Sequence, residues 1–353
     1  MKGVSRSFYL TLRVLPGKVR NPISLAYLLA RATDTIADTH LVAVRQRQKA
    51  LSKMREAIFA AAEGRTAPPP DFGELAAAQA APAGRGSPAE RALLAGIDEA
   101  LAALRGLSEQ DRLRIRDALD TITRGQEMDL LRFAHSSSDQ IVALNSDQEL
   151  DEYIYCVAGC VGEFWTKICR AHLFPAAELD DAFLLRSGVR LGKGLQLVNI
   201  LRDLPNDLRQ GRCYLPAPSL EACGLRPQDL LSPLAMERFR PLYEGYLKQT
   251  EEHLAAGWEY TKTLPRGQVR VRLACAWPIL IGAKTLARLR AGNVLDQRTR
   301  IKISRSEIRL LVLDSILRYP FPAAWNRLFD AAKMKACTEI TNRRDHDRVE
   351  LPQ

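Results

Sequence analysis

Apolar residues in the stretch RLGKGLQLVNILRDLPNDLRQGRCYLP (190–216) return at a helical period. Leu197, Val198, Leu201, Leu204 and Leu208 fall on one side of such a helix, and Gln196, Asn199, Asp203 and Asp207 form a narrow stripe on the other. Arg202 and Arg212 lie close to that stripe. A second stretch, SLAYLLARATDTIAD (24–38), repeats the design: Tyr27, Arg31, Asp34 and Asp38 share a stripe, with Leu25, Leu28, Leu29, Ala32 and Ile36 opposite. One acidic stripe is most simply a solvated helix face. Two of the same design, each with aspartates at i and i+4, predict a pair of helices that face each other across a cleft and hold divalent cations between them.

The rest of the pattern is helical too. The first aspartate helix starts after Asn21-Pro22, where proline suits a first turn, and is expected to run to about residue 62. Residues 64–90 are rich in Pro, Gly and Ala and predict an exposed loop within one domain, because the two aspartate helices lie on either side of it. Capping boxes at Ser87/Glu90 and Ser146/Glu149 open helices over 88–105 and 147–172, with another over 109–133 between them. The helix over 147–172 is apolar nearly all round and is expected to be central. Tyr153, Val157, Cys160 and Phe164 share one of its faces, and Ala158, Gly159 and Gly162 admit either a ligand or a tightly packed helix. Pro205, between Asp203 and Asp207, is expected to end or bend its helix near 203–205. A loop through 226 precedes helices over 234–264 and 267–292, the latter kinked at Pro278. Ser304 and Glu307 cap a last helix that Pro320 and Pro322 break off. No alternating strand pattern is present. The reading is all-α, one domain over 1–336 and a charged, loose tail over 337–353.

Composition narrows the partners. The 353 residues are 46% hydrophobic and 26% charged, with a net charge of +10 and a pI near 9.4. Such a surface suits an anion: nucleic acid, an anionic membrane or a phosphorylated substrate. No zinc-finger spacing, RNP-like aromatic run or basic arm is present, which sets nucleic acid aside. Seven scattered cysteines without a CxxC pair suit a reducing compartment. No apolar run nears the ~18–20 residues a bilayer demands, and no signal-peptide core opens the chain. The expectation is a cytoplasmic protein without a transmembrane anchor, with peripheral membrane contact left open.

Paired carboxylates one turn apart suit magnesium, which takes oxygen ligands, keeps waters and is completed by substrate phosphates. Arg31, Arg202 and Arg212 would neutralise what the ions leave over. The chemistry this favours is departure of a diphosphate. Loss from an allylic carbon leaves a cation that needs a dry wall, for which the 147–172 helix is suited. Tyr27 and Tyr153 read equally as ring faces for that charge and as core aromatics. GKGLQL (192–197) lacks the third glycine of a dinucleotide fingerprint, no P-loop, HExxH or GxSxG occurs, and the five histidines are dispersed.

Several of these motifs together resemble the head-to-head prenyl synthases, the squalene and phytoene synthases, over roughly residues 3–310. They are SRSF (5–8), Tyr27-x3-Arg31-x2-Asp34-Thr-x2-Asp38, Tyr153 before VAGCVG (157–162), and Gln196-x2-Asn199-x2-Arg202-Asp203-x3-Asp207 followed by GRCYLP (211–216). The resemblance implies an isoprenoid-synthase type I helical bundle around a central apolar cavity. It implies two farnesyl diphosphates joined with Mg²⁺ through a cyclopropyl (presqualene) diphosphate. Asp34, Asp38, Asp203 and Asp207 would then bind Mg²⁺, with Asn199 beside them. Ser5, Arg6, Ser7, Phe8, Tyr27, Arg31, Arg202 and Arg212 would bind substrate, Gln196 would line the cleft, and Tyr153 would assist ionisation and proton removal. SRSFYLTLRVLP, DTIAD and ACAWP look more like squalene synthases, which reduce the product with NADPH. IKISR (301–305) resembles their NADPH-contacting segment through Lys302 and Arg305, although Ser304 stands where an arginine is expected. Tyr260 precedes ACAWP by two residues more than the pattern and is a further substrate-binding candidate. The alternatives are a dehydrosqualene- or phytoene-type synthase without the reduction, and a non-catalytic helical scaffold that binds anionic lipid. The family often carries a C-terminal membrane anchor; here the helix of 307–319 is expected to pack its leucines on the core, with membrane contact as the alternative.

Overall fold

The computed structural model describes residues 8–39, 42–66, 68, 70, 72–73, 88–296, 298 and 301–333, and the side chains from residue 11 onward. The helices are α1 (Phe8–Val14), α2 (Gly17–Asp38), α3 (Val44–Ala62), α4 (Pro88–Ala95), α5 (Ile97–Arg105), α6 (Glu109–Arg132), α7 (Asp147–Ile154), α8 (Cys160–Leu173), α9 (Asp181–Arg209), α10 (Ala217–Glu221), α11 (Met236–Thr263), α12 (Val269–Ala291), α13 (Arg305–Arg318) and α14 (Pro322–Asn326). Two compact units form from interleaved segments. One holds α1–α6 with Tyr155–Asp180; the other holds His135–Ile154 and the chain from Asp181 onward.

In the first unit α6 is the hub, packed against α2, α3 and α8. Leu29, Ile36, Leu51, Ile58, Ile115 and Ile168 fill the space between them. The expected continuous helix through residue 62 is two helices, and it starts earlier, at Gly17. Thr39 leaves the helical region (φ −71°, ψ 125°), and Arg47 Nη1 of α3 donates to the Ala37 carbonyl at 2.8 Å. A buried guanidinium thus takes over an orphaned C-terminal carbonyl, which makes the break stable. The 88–105 helix is likewise two, interrupted at Gly96, and Ser87 of its expected box lies outside the described residues. Residues 155–159 form a π-helical turn ahead of α8. There α6 passes so closely that a Cβ on Gly125 would stand 2.7 Å from Cys156 Cβ. The close approach at Cys156 and Val157 is therefore helix packing.

In the second unit the two longest helices, α9 and α11, pack along each other, and α12 lies against both. Leu197, Leu201, Leu204, Leu208, Phe239, Tyr243 and Leu254 make the seam. The expected helices over 234–264 and 267–292 are α11 and α12, and α12 stays helical through Pro278. One departure from an all-helical chain is a short parallel ladder. Strand β1 (Val142–Leu144) pairs with β2 (Arg212–Pro216), with Val142 opposite Arg212. Helix α13 buries Ser315, which accepts from Trp277 Nε1 of α12 at 3.0 Å, and leaves Leu310, Leu313 and Leu317 exposed; the expectation that its leucines pack on the core is therefore overturned. Among the described residues no helix is long and apolar enough to cross a membrane.

Candidate active site

The aspartates of α2 are held out by what the helix buries. Ile23, Ala26, Leu29, Ala32, Thr33 and Ile36 face inward, while Leu25 and Leu28 are only half-buried. Tyr27, Arg31 and Asp34 are half-buried and Asp38 is exposed. Arg31 forms an ion pair with Asp34 one turn on, and its Nη2 lies 3.9 Å from Glu90 of α4. Burial first, then the charge of Asp38 and that of Asp129 on α6, push the Asp34 carboxyl up to about 6 against the opposing pull of Arg31. Two carboxylates, Asp34 and Glu90, thus share one guanidinium. A buried aspartate that resists ionisation, with further acids beside it, marks a place that suits a cation. Asp129 is one acid among many on α6, and Glu90 reads in the sequence only as a capping residue, so spacing alone points to neither.

The second set lies on α9 and the strand after it. Gln196, Arg202, Asp203 and Asp207 are half-buried and Asn199 is exposed. Arg202 Nε donates to Asp203 Oδ1 at 2.9 Å, and Nη2 engages the other oxygen, a two-pronged pair. Those bonds, with the charges of Asp203 and Asp207, hold the guanidinium above its ordinary value despite its burial. The helix does not end at Pro205; it runs to Arg209. Proline at 205 cannot donate to the Leu201 carbonyl, and that carbonyl belongs to a wholly buried residue. The Tyr243 hydroxyl of α11 supplies the missing hydrogen bond at 3.0 Å. The aspartate turn is therefore completed by a phenol from a neighbouring helix, which no local pattern announces.

After α9 the chain reverses at Gly211, whose φ of +80° favours glycine and whose Cβ position would fall 2.5 Å from the Ser137 backbone. Arg212 is thereby on β2 and not on the helix stripe, half-buried beside the ladder. Two residues on, Tyr214 stacks on Tyr153 of α7, with ring centroids 4.9 Å apart and planes 19° from parallel. The Tyr153 hydroxyl donates to that of Tyr214 at 3.4 Å. Tyr214 was in plain view inside GRCYLP, but only the ladder reveals it as the partner of Tyr153.

The remaining candidates separate. Ser5, Arg6 and Ser7 lie outside the described residues, as does the Phe8 side chain. Tyr260 is completely buried in α11. Lys302 and Arg305 are exposed. Ser304 between them is the N-cap of α13: it accepts from Glu307 N at 3.2 Å, and Glu307 in turn accepts from Lys284 (2.8 Å) and Arg288 (2.5 Å). Burial raises the Glu307 carboxyl, but these bonds win and bring it down to about 2. The serine where arginine was expected is thus spent on a helix start.

Among the described residues no three His, Cys, Asp or Glu side chains converge tightly enough to cage a metal. Oxygen pairs one turn apart, each next to an arginine, instead fit an ion that is completed by waters and substrate phosphates.

The squalene/phytoene synthase family model matches residues 1–307. The chain is 28% identical over 263 residues to the presqualene diphosphate synthase of Zymomonas mobilis, covering 74% of each. It is 24% identical over 314 residues to the squalene synthase of Bos taurus, covering 88% of this chain and 67% of that one. The chain spans only about a third to two fifths of the length of several longer relatives named as phytoene synthases. A solved complex of TcSQS superposes with a TM-score of 0.69 at 20% identity over 96% of both chains, which establishes the shared all-α fold. With a family match over most of its length and the fold to go with it, the chain belongs to the squalene/phytoene synthase family of head-to-head prenyltransferases.

Proposed function

We propose that the protein is a squalene synthase: it joins two farnesyl diphosphates head to head, through presqualene diphosphate, and reduces the product with NADPH. The observation that carries the reading is the duplicated unit of two aspartates and an arginine, with Asp34 pushed up to about 6 by burial and then by the charge of Asp38. In this reading Asp34 and Asp38 in the first unit, and Asp203 and Asp207 with Asn199 in the second, hold Mg²⁺ that bears diphosphate. The bound ions supply charge neutralisation for the departing diphosphate. Arg31, Arg202 and Arg212 take the remaining negative charge, and Tyr27 and Gln196 border the substrate. Ser5, Arg6, Ser7 and Phe8 belong to the same substrate set by the family pattern. The stacked Tyr153 and Tyr214 place a phenol that donates a hydrogen bond and can pass a proton on.

A second reading, a dehydrosqualene- or phytoene-type synthase that stops before reduction, is favoured by Ser304. The segment expected to meet NADPH offers Lys302 and Arg305, but its third basic position is a helix cap. The test is product analysis with the full chain, farnesyl diphosphate and Mg²⁺, with and without NADPH. Squalene formed only with NADPH is expected; an unreduced hydrocarbon regardless of NADPH gives the second reading; no diphosphate release overturns both.

A further inference from the structure

The parallel ladder carries a bulge. Ala143 of β1 pairs with Cys213 and Leu144 with Pro216, so one step along β1 spans three along β2. Tyr214 and Leu215 stand out of register in between. A bulge bends its strand and re-aims the side chains it holds. Here Leu215 is wholly buried, while Tyr214 turns to stack on Tyr153 of α7.

The two phenols are not equivalent. Tyr214 is 7% exposed and Tyr153 half-buried, so of the pair it is Tyr153 that keeps an open side. Stacking holds the Tyr153 ring, and the 3.4 Å bond to the Tyr214 oxygen gives its hydroxyl a direction. A phenol has one hydrogen to donate. With that hydrogen aimed at Tyr214, Tyr153 offers lone pairs to its open side. The start of α7 is anchored separately: the Tyr246 hydroxyl of α11 donates to Oδ1 of Asp147, the first residue of α7, at 2.7 Å. That bond holds the helix without involving the Tyr153 oxygen.

We propose that Tyr214 is a positioning residue: by accepting the Tyr153 O–H it turns the Tyr153 lone pairs toward the reacting carbons, so that Tyr153 meets the allylic cation as an acceptor. A dipole fixed in advance toward developing charge is worth more than one that must rotate into place. The proposal rests on the synthase reading, in which Tyr153 borders the reacting atoms, and adds the residue that sets the direction of its hydroxyl.

The experiment is steady-state kinetics of the full chain with farnesyl diphosphate and Mg²⁺, followed as diphosphate release, with a thermal melt of every variant. Tyr214→Phe keeps the stacked ring and removes the acceptor. Its kcat should fall about tenfold, the scale of one hydrogen bond between neutral groups, with KM changed less than about twofold. The double variant Tyr153→Phe/Tyr214→Phe should be no slower than Tyr153→Phe, because Tyr214 then has no hydroxyl to direct. Tyr246→Phe, which loosens α7 from its other end, should lower Tm and leave kcat near the wild-type value. Wild-type kcat in Tyr214→Phe overturns the proposal, and so does an additive loss in the double variant. An equal fall of kcat in Tyr246→Phe overturns it as well, since Tyr214 would then act only as a support for the helix. Those three outcomes leave the synthase reading standing. No diphosphate release by the wild-type chain, or a wild-type rate in Tyr153→Phe, is instead a failure of that reading and takes the proposal with it.

Discussion

At Asp34 the demands of folding and of the proposed chemistry part company. A carboxyl whose folded value is about 6, above its ordinary 3.8, binds more protons in the folded state across that interval. Its contribution is favourable below the ordinary value and is lost as pH rises through 6. The side chain keeps 37% of its surface exposed, so solvent screening leaves roughly 1 kcal/mol of cost at neutral pH. Asp34→Asn should therefore raise the metal-free Tm at pH 7.5 by about 2–4 °C, do little at pH 4, and abolish turnover. Thermal melts against pH, with a product assay alongside, check this; a lower Tm at pH 7.5 would deny the crowding of acids around α2. Asp203→Ala should also stop turnover and keep the fold. Asp111 at the start of α6 behaves in the opposite sense. Burial pulls its carboxyl up, but bonds from His172 (2.9 Å), Ser108 and Arg114 (2.8 Å) outweigh it and hold the carboxyl low. Its stabilising contribution is present above the ordinary carboxylate value and lost as pH falls below it. His172→Ala should make acid unfolding, followed by circular dichroism, begin at higher pH.

At the scale of elements, the second aspartate helix depends on a partner from outside itself. Tyr243→Phe leaves the buried Leu201 carbonyl without a donor, a loss of about 1–3 kcal/mol. Pro205→Ala restores a backbone N–H that can reach that carbonyl. The two changes should therefore be strongly non-additive in denaturant melts, with the double variant more stable than Tyr243→Phe alone. Half-saturation by Mg²⁺ in the product assay should follow the same order. Equal cost of Tyr243→Phe with and without Pro205 would break the link between the phenol and the aspartate turn.

For the whole molecule, the thiols report on how tightly the two units are filled. Cys156, Cys160, Cys169, Cys213 and Cys275 are buried and Cys223 is half-buried, with no disulfide among the described residues. Burial pushes the Cys160 and Cys213 thiols up to about 12. A thiol-reactive dye should meet Cys223 quickly in the native chain and these five only on unfolding. Cys223→Ser should remove one fast equivalent; fast reaction of Cys160 or Cys213 would show a looser core.

Helical periodicity carried much of this protein: the two aspartate stripes, the long helices α6, α9, α11 and α12, and the Ser304 cap follow from spacing and from local turn chemistry, which act within a few residues. The break between α2 and α3, the ladder that moves Arg212 onto a strand, the stacking of Tyr214 on Tyr153 and the phenol that carries α9 past Pro205 all need residues distant in sequence. The leucines of α13 read as core because periodicity tells which residues share a face but not which way the face turns. That choice belongs to tertiary packing, which buried Ser315 and left Leu310, Leu313 and Leu317 outside. The same packing raised Asp34, chiefly by burying its carboxyl and in smaller part by bringing the charge of Asp129 from another helix near it.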